Sequence, residues 1–130
     1  MTGYFGSIEQ DTENNNYFRK VLFTGPNLQL VVMCLQGGEE IGNEVHSDVD
    51  QFFRIEEGEA KFVINNSEEH ILGDGGAAVV PAGTWHNVIN ASSTQPLRLY
   101  TVYTPPEHPD GTIHKTKKEA DAAEAEHHKK

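Results

Sequence analysis

Four side chains of the kinds that bind metal ions lie in two short stretches of the sequence. Glu44 and His46 are two residues apart, and alternate residues of a β-strand point to one face, so these two side chains should share a face. Gln51 opens the next apolar run, and His86 opens another after a turn. Side chains from three strands can then meet at one point inside a barrel. Nitrogen and oxygen donors gathered in this way predict a metal site.

The two stretches resemble the two sequence motifs of the cupin superfamily. The first motif is commonly written G-x5-H-x-H-x3-4-E-x6-G, and the chain keeps its spacing from Gly38 to Gly58. Two positions differ, because Glu44 stands where the first His is usual and Gln51 stands where the Glu is usual. The second motif, G-x5-P-x-G-x2-H-x3-N, is matched at all five fixed positions, which are Gly75, Pro81, Gly83, His86 and Asn90. The resemblance implies an all-β fold, the cupin double-stranded β-helix or jelly-roll barrel.

The two substitutions change the set of side chains that could bind the metal ion. The usual cupin set of three His and one Glu becomes two His, one carboxylate and one amide. Glu44, His46 and His86 form the two-His-one-carboxylate triad typical of non-haem Fe(II), although such a mixed set also suits Zn, Mn, Ni or Co. Gln51 is either a fourth, weak oxygen ligand or a neighbour that orients Glu44 or a bound water. The alternative is a decayed site, in which Glu44 and Gln51 are ordinary polar residues.

Apolar runs separated by turn residues predict many short β-strands, which is typical of a sandwich or closed barrel. The predicted strands are 17–24, 27–35, 51–56, 60–65, 69–72, 77–80, 86–91 and 97–104. We therefore expect three parts: an N-terminal arm (1–16), which should be a loop over 9–16, a barrel (17–104), and a Pro-rich segment with a helical tail (105–130). A short helix is predicted over 117–126, where Ala and Glu are frequent.

Strand parity also predicts the lining of a pocket beside the metal. If Gln51 faces inward, its alternate neighbours on the same strand do so too. The predicted lining residues are Phe53, Ile55, Phe62, Ile64 and, at the rim, Trp85. An equally weighted alternative is that these side chains are simply barrel core. His108 and His114 are further candidates, because the segment that leaves the barrel can fold over the pocket mouth or over a neighbour.

Composition fits one small domain with a strongly acidic surface. The chain has 130 residues and a formal net charge of −10, which disfavours nucleic acid and anionic membranes as partners. The single cysteine, Cys34, excludes an internal disulfide, and the first residues lack the features of a secretory signal. We therefore expect a cytoplasmic protein with a small-molecule ligand. Small cupins commonly pair, so the resemblance also implies a homodimer.

Two classes of function follow from the resemblance and the site. The first is a metal-dependent enzyme of isomerase or dioxygenase type that acts on a small organic or sugar-like substrate. The second is a non-catalytic cupin that binds or senses a small molecule through its metal ion. Catalytic residues are not identifiable, since Glu44 is occupied if it binds the metal. Similarity to small bacterial cupins of the mannose-6-phosphate-isomerase-like kind favours the enzyme, but fold alone does not decide.

Overall fold

Every predicted strand is present, with its boundaries within two residues of the prediction. The structure, a computed structural model, describes residues 2–128, with side chains described through Ala125. Met1 and residues 129–130, which belong to the predicted arm and tail, lie outside this description. The elements are, in order, α1 (Ile8–Glu13), β1 (Arg19–Thr24), β2 (Gln29–Leu35), β3 (Asp50–Glu57), β4 (Ala60–Ile64), β5 (Glu68–Leu72), β6 (Ala77–Val80), β7 (His86–Asn90), β8 (Leu97–Thr104), β9 (Ile113–His114) and α2 (Lys117–His128).

Two antiparallel sheets face each other across one hydrophobic core. One sheet has the strand order β6-β3-β8-β2-β1-β9, and the other has the order β5-β4-β7. The rings of Phe53 on β3 and Phe62 on β4 meet edge to face at 5.2 Å between centroids and so join the two sheets. This double-sheet arrangement is the jelly-roll barrel that the sequence predicted.

The strands of the larger sheet alternate between buried and partly exposed residues, as the sequence pattern requires. On β3, Gln51, Phe53 and Ile55 are each no more than 2% exposed, whereas Arg54 between them is partly exposed. Gln51 is paired in register with Tyr103 of β8, which is also buried. The alternation that buries Phe53 and Ile55 therefore also places the polar side chain of Gln51 in the barrel interior.

The N-terminal arm contains a helix, so the prediction of a loop over residues 9–16 is wrong. Ser7 caps the helix, because its side chain accepts a hydrogen bond from the backbone N–H of Gln10 at 3.3 Å. Ser-x-x-Gln is a known start signal for helices, and it outweighed the polar composition of the segment. Thr12 is fully buried, and Arg98 of β8 donates to the carbonyl of Asn15 at 3.1 Å. The arm therefore packs against the barrel.

The chain returns to the barrel after β8. We call residues 105–112 the return segment. Gln29 of β2, which is fully buried, donates to the carbonyl of His108 at 2.8 Å and accepts from the N–H groups of Glu107 and His108 at 3.2 and 3.0 Å. Strand β9, which the sequence did not predict, then pairs with β1, and α2 follows. Within residues 2–128, no helix has the length and apolar character needed to cross a membrane.

Candidate metal centre

The structure brings Glu44, His46 and His86 together, with one ligand atom from each within 4.8 Å of the others. Oε1 of Glu44 lies 3.4 Å from Nε2 of His46 and 3.7 Å from Nε2 of His86. The two imidazole centroids are 5.5 Å apart. A carboxylate oxygen and two imidazole nitrogens therefore face one small volume, as the motif spacing predicted.

The backbone holds these residues differently from the expected strand. Glu44 forms a single isolated bridge with His86, in which each N–H donates to the other residue's carbonyl at 2.9 Å. His46 lies outside any regular strand, and its carbonyl accepts from the N–H of Gly83 at 2.9 Å. Gly83 has φ +80°, a conformation that glycine adopts without steric cost. The second motif thus positions the first, through direct backbone hydrogen bonds.

Both histidines present the same ring nitrogen to the site. Nδ1 of His86 lies 2.9 Å from the carbonyl of Thr84, and Nδ1 of His46 lies 3.4 Å from Oε1 of Glu107. These acceptors hold a proton on Nδ1, so Nε2 is the ring nitrogen that each histidine offers to a metal ion. Both Nε2 atoms are buried and have no hydrogen-bond partner among the described residues. A buried acceptor without a partner is costly, so these atoms fit a metal ion.

Gln51 also presents an unpaired atom. Its Nε2 donates to Oγ1 of Thr101 at 2.9 Å, while the Thr101 hydroxyl donates to the carbonyl of Phe52 at 2.8 Å. A hydroxyl has one proton, so Thr101 must accept from Gln51, and this fixes the orientation of the amide. Oε1 of Gln51 is then the free oxygen, buried and without a hydrogen-bond partner in the described part of the chain. An oxygen left free in this way is available to bind a cation.

The charged groups around Glu44 favour the ionised form of its carboxylate, which is the form that binds a cation. Burial opposes ionisation of Glu44, but the adjacent imidazole of His46, together with the positive charge of Arg19, outweighs burial, and the pKa of Glu44 is lowered. Burial likewise opposes protonation of His46, but Glu107 and Glu44 outweigh it and raise its pKa to about 9. In the metal-free protein, His46 is therefore protonated at neutral pH. A metal ion must displace that proton to bind.

The predicted pocket residues lie mainly in the hydrophobic core. Phe53, Ile55 and Phe62 are no more than 1% exposed, and Ile64 is partly buried against them. This location matches the alternative in which these side chains form barrel core. Trp85 is 44% exposed. Phe53 is the one of these residues whose ring lies edge-on to His86, at 6.1 Å between centroids.

His108 and His114 both lie near the site without joining the ligand cluster. Nε2 of His108 is 3.3 Å from the hydroxyl of Tyr103, whose ring centroid is 6.0 Å from that of His46. Burial, with a contribution from the charge of Arg19, lowers the pKa of His108 to about 3, so this ring is neutral. Nδ1 of His114 lies 3.1 Å from Nη1 of Arg19.

Sequence reasoning missed Glu107, Thr101 and Arg19. Thr101 could have been found by parity, since it is two residues before Tyr103 on an alternating strand. Parity could also have found Arg19, which shares the buried face of β1 with Val21. Glu107 carries no such signal, because it reaches the site only through the return of the chain after β8. A cavity of about 240 Å³ lies beside the site, with Arg19 and Glu44 in its wall and α2 on the other side.

Comparisons with known proteins agree with this architecture. The family model for the cupin domain matches residues 31–103. The uncharacterized protein YrkC of Bacillus subtilis (strain 168) is 50% identical over 123 residues, a match that covers 91% of this chain and 66% of YrkC. The uncharacterized protein L612 of Acanthamoeba polyphaga mimivirus is 45% identical over 112 residues, which covers 85% of this chain and 70% of L612. The chain thus spans about two thirds of the length of these relatives.

A solved structure supports the same conclusion. The crystal structure of BH2720 from Bacillus halodurans superposes with a TM-score of 0.88 at 44% sequence identity. The match covers 92% of this chain and 93% of that chain. This similarity includes the elements outside the central barrel, and it confirms the predicted fold.

Proposed function

The chain belongs to the cupin family, and we propose that it is a mononuclear metal enzyme of the dioxygenase type that acts on a small organic molecule. One observation carries the proposal. Two buried atoms without hydrogen-bond partners among the described residues, Nε2 of His46 and Nε2 of His86, accompany the carboxylate of Glu44, and Oε1 of Gln51 on β3 is a third such atom. Two imidazoles and one carboxylate are the ligands by which many non-haem Fe(II) oxygenases hold their metal.

The donor chemistry of these residues fits a divalent ion, for which we propose Fe(II). When bound, the ion would supply a position at which O2 and an organic substrate are activated. Glu44 brings one negative charge, and Gln51 brings an oxygen without adding charge. Glu107 and the carbonyl of Thr84 hold the two imidazoles in the ligating tautomer. Thr101 holds the Gln51 amide with its oxygen free.

The proton chemistry of the site favours a dioxygenase over an isomerase. Isomerisation of a sugar needs a side chain that moves a proton between carbons. The titratable side chains around the site do not suit this role. Glu44 belongs to the ligand set, and Glu107 is directed at His46. Burial raises the pKa of the Tyr103 hydroxyl and keeps His108 neutral. A dioxygenase places both atoms of O2 in its substrate and so needs no outside reductant.

Aromatic side chains cover the inner side of the site. Phe53, Phe62 and Tyr103 are each no more than 2% exposed, and the rings of Phe53 and Tyr103 lie edge-on to His86 and His46. These side chains keep water from that side of the site, which strengthens electrostatic interactions there.

A second candidate is a non-catalytic cupin in which the ion anchors a ligand. The shortage of free acid–base groups favours it as well, since binding requires no proton transfer. The two candidates separate on oxygen consumption, because a binding protein leaves dissolved O2 unchanged with every ligand.

The test begins with elemental analysis of protein purified without metal-affinity steps. We expect iron at about one equivalent per chain. The protein loaded anaerobically with Fe(II) should then give a high-spin ferrous–nitrosyl electron paramagnetic resonance signal with nitric oxide, which reports an open coordination position. Zinc or manganese alone, combined with no nitrosyl signal from the Fe(II)-loaded protein, would rule out the dioxygenase. Oxygen uptake with a panel of small organic acids and alcohols then distinguishes enzyme from binding protein.

A further inference from the structure

A buried arginine points into the barrel next to the metal site. Arg19 begins β1, is 7% exposed, and shares a face with Val21, which belongs to the hydrophobic core. Its register partner on β2 is Met33, which is fully buried. A cation is rarely placed inside a small barrel, because removing a guanidinium from water is costly unless it is paired.

Arg19 has no such pair among the described side chains. Nη1 lies 3.1 Å from Nδ1 of His114, and burial, with a contribution from the charge of Arg19, lowers the pKa of that imidazole, so it acts as a neutral acceptor. Nε of Arg19 is buried and has no hydrogen-bond partner among the described residues. Among the described side chains, the salt bridges of the protein do not include Arg19. The guanidinium therefore keeps a donor without a partner, and its charge acts on the carboxylate of Glu44 only through space.

Arg19 also lines a cavity that reaches a metal ligand. The cavity has a volume of about 240 Å³, and Arg19 and Glu44 both line it. Lys117 is the other basic residue among its lining residues, but its Nζ is bound to the carboxylate of Asp121 at 2.6 Å. Arg19 is thus the cation in this wall that is left for a ligand.

We propose that this cavity is the anion-binding end of the substrate site, where Arg19 binds the carboxylate of a small organic acid. This inference rests on the proposed function, because the cavity is part of a substrate site only if the protein has that function. Arginine presents its N–H groups as a planar fork that matches a carboxylate. The wall also contains the carboxylates of Glu44, Asp121 and Glu124, which oppose a second negative charge. A monocarboxylate therefore fits this wall better than a phosphate dianion.

The test uses the Nε–H resonance of Arg19 in nitrogen-15 NMR spectra of the zinc-loaded and metal-free protein. Acetate and benzoate are the probes, and acetamide and benzyl alcohol are their neutral counterparts. We expect a saturable shift of this resonance with the carboxylates in both forms, and none with the neutral compounds. Inorganic phosphate should bind more weakly than acetate. An unmoved resonance, or tighter binding of phosphate, would overturn the assignment.

Two variants complete the test. Arg19→Gln should weaken acetate binding by roughly tenfold or more, because a hydrogen bond to a charged group is lost, while the protein still takes up one metal equivalent. Lys20→Gln is the matched control, since it removes the same charge from the other face of β1 and should leave acetate binding unchanged. Unaltered affinity in Arg19→Gln would contradict the proposal. If Arg19→Gln does not fold, acetate binding by Arg19→Lys and the shift of the wild-type Nε–H resonance still test the proposal. Because the metal-free protein is also measured, a failed metal site would leave the carboxylate result standing.

Discussion

The carboxylate of Glu107 lies 3.4 Å from Nδ1 of His46, at the opposite ring nitrogen from the one that faces Glu44. Glu107 belongs to the return segment, far along the chain from the ligands that the motifs supply. A carboxylate at this position makes the imidazole a stronger donor and fixes its ring orientation. The candidate metal site therefore has a neighbouring carboxylate that lies outside both motifs.

Replacing Glu107 should weaken metal binding without abolishing it. We expect Glu107→Ala to lower the affinity for a divalent ion by about 10- to 100-fold, since the ligands remain but the ring of His46 loses its anchor. Competition with a chromophoric chelator measures this change. Glu59→Ala, at an exposed position, is the control and should bind metal like the wild type. Equal affinity in the two variants would show that Glu107 does not support the site.

Removing both histidines should eliminate the site. In the double variant His46→Ala with His86→Ala, we expect no stoichiometric metal, because a carboxylate and an amide alone hold a divalent ion weakly. Elemental analysis after gel filtration is the measurement. His70→Ala is the control, since that side chain is 54% exposed on β5 and lies outside the ligand cluster. A full metal equivalent in the double variant would place the site elsewhere.

Gln51→Glu should change metal binding and stability in opposite directions. As a direct ligand, the new carboxylate adds negative charge to the site and should tighten metal binding. In the metal-free protein, the same carboxylate faces the oxygen of Thr101, whose proton is already given to Phe52. We expect a loss of about 1–3 kcal/mol in the free energy of unfolding of the metal-free form, the cost of a buried group without its partner. Metal titration and denaturant unfolding measure the two effects, and unchanged or weaker metal affinity would contradict direct ligation.

The metal-free protein should be most stable near pH 6.5. The pKa of His46 is raised from 6.5 to about 9 by folding, so its stabilising contribution is complete below pH 6.5 and is lost as the pH rises towards 9. The pKa of His108 is lowered from 6.5 to about 3, so the unfolded chain takes up a proton that the folded chain refuses, and stability falls as the pH drops below 6.5.

Thermal unfolding of the metal-free protein across this pH range tests both losses of stability, which we call the alkaline arm (above pH 6.5) and the acidic arm (below pH 6.5). His46→Gln should flatten the alkaline arm, and His108→Gln should flatten the acidic arm between about pH 6.5 and 5, above the range in which most carboxylates titrate. An alkaline arm that is unchanged in His46→Gln would mean that another group causes it.

The sequence predicted the barrel because its information is local. Alternation and turn residues define each strand, and the spacing from Glu44 to His86 defines a ligand cluster that the structure brings together. The pairing of β1 with β9 depends on two residues, which are too few to produce a pattern. Glu107 reaches the site through that long-range return. The burial of Arg19 is a property of the assembled barrel, whereas the sequence shows only an arginine at the start of an apolar run.

The hydrogen bonds of Gln29 to residues 107 and 108 have a consequence for exchange with solvent. The N–H groups of Glu107 and His108 are both held by one buried amide, and Glu107 in turn faces a metal ligand. Opening of the return segment must break these bonds and also release the imidazole of His46. Metal binding should therefore slow deuterium uptake at these two amides, even though neither residue touches the ion.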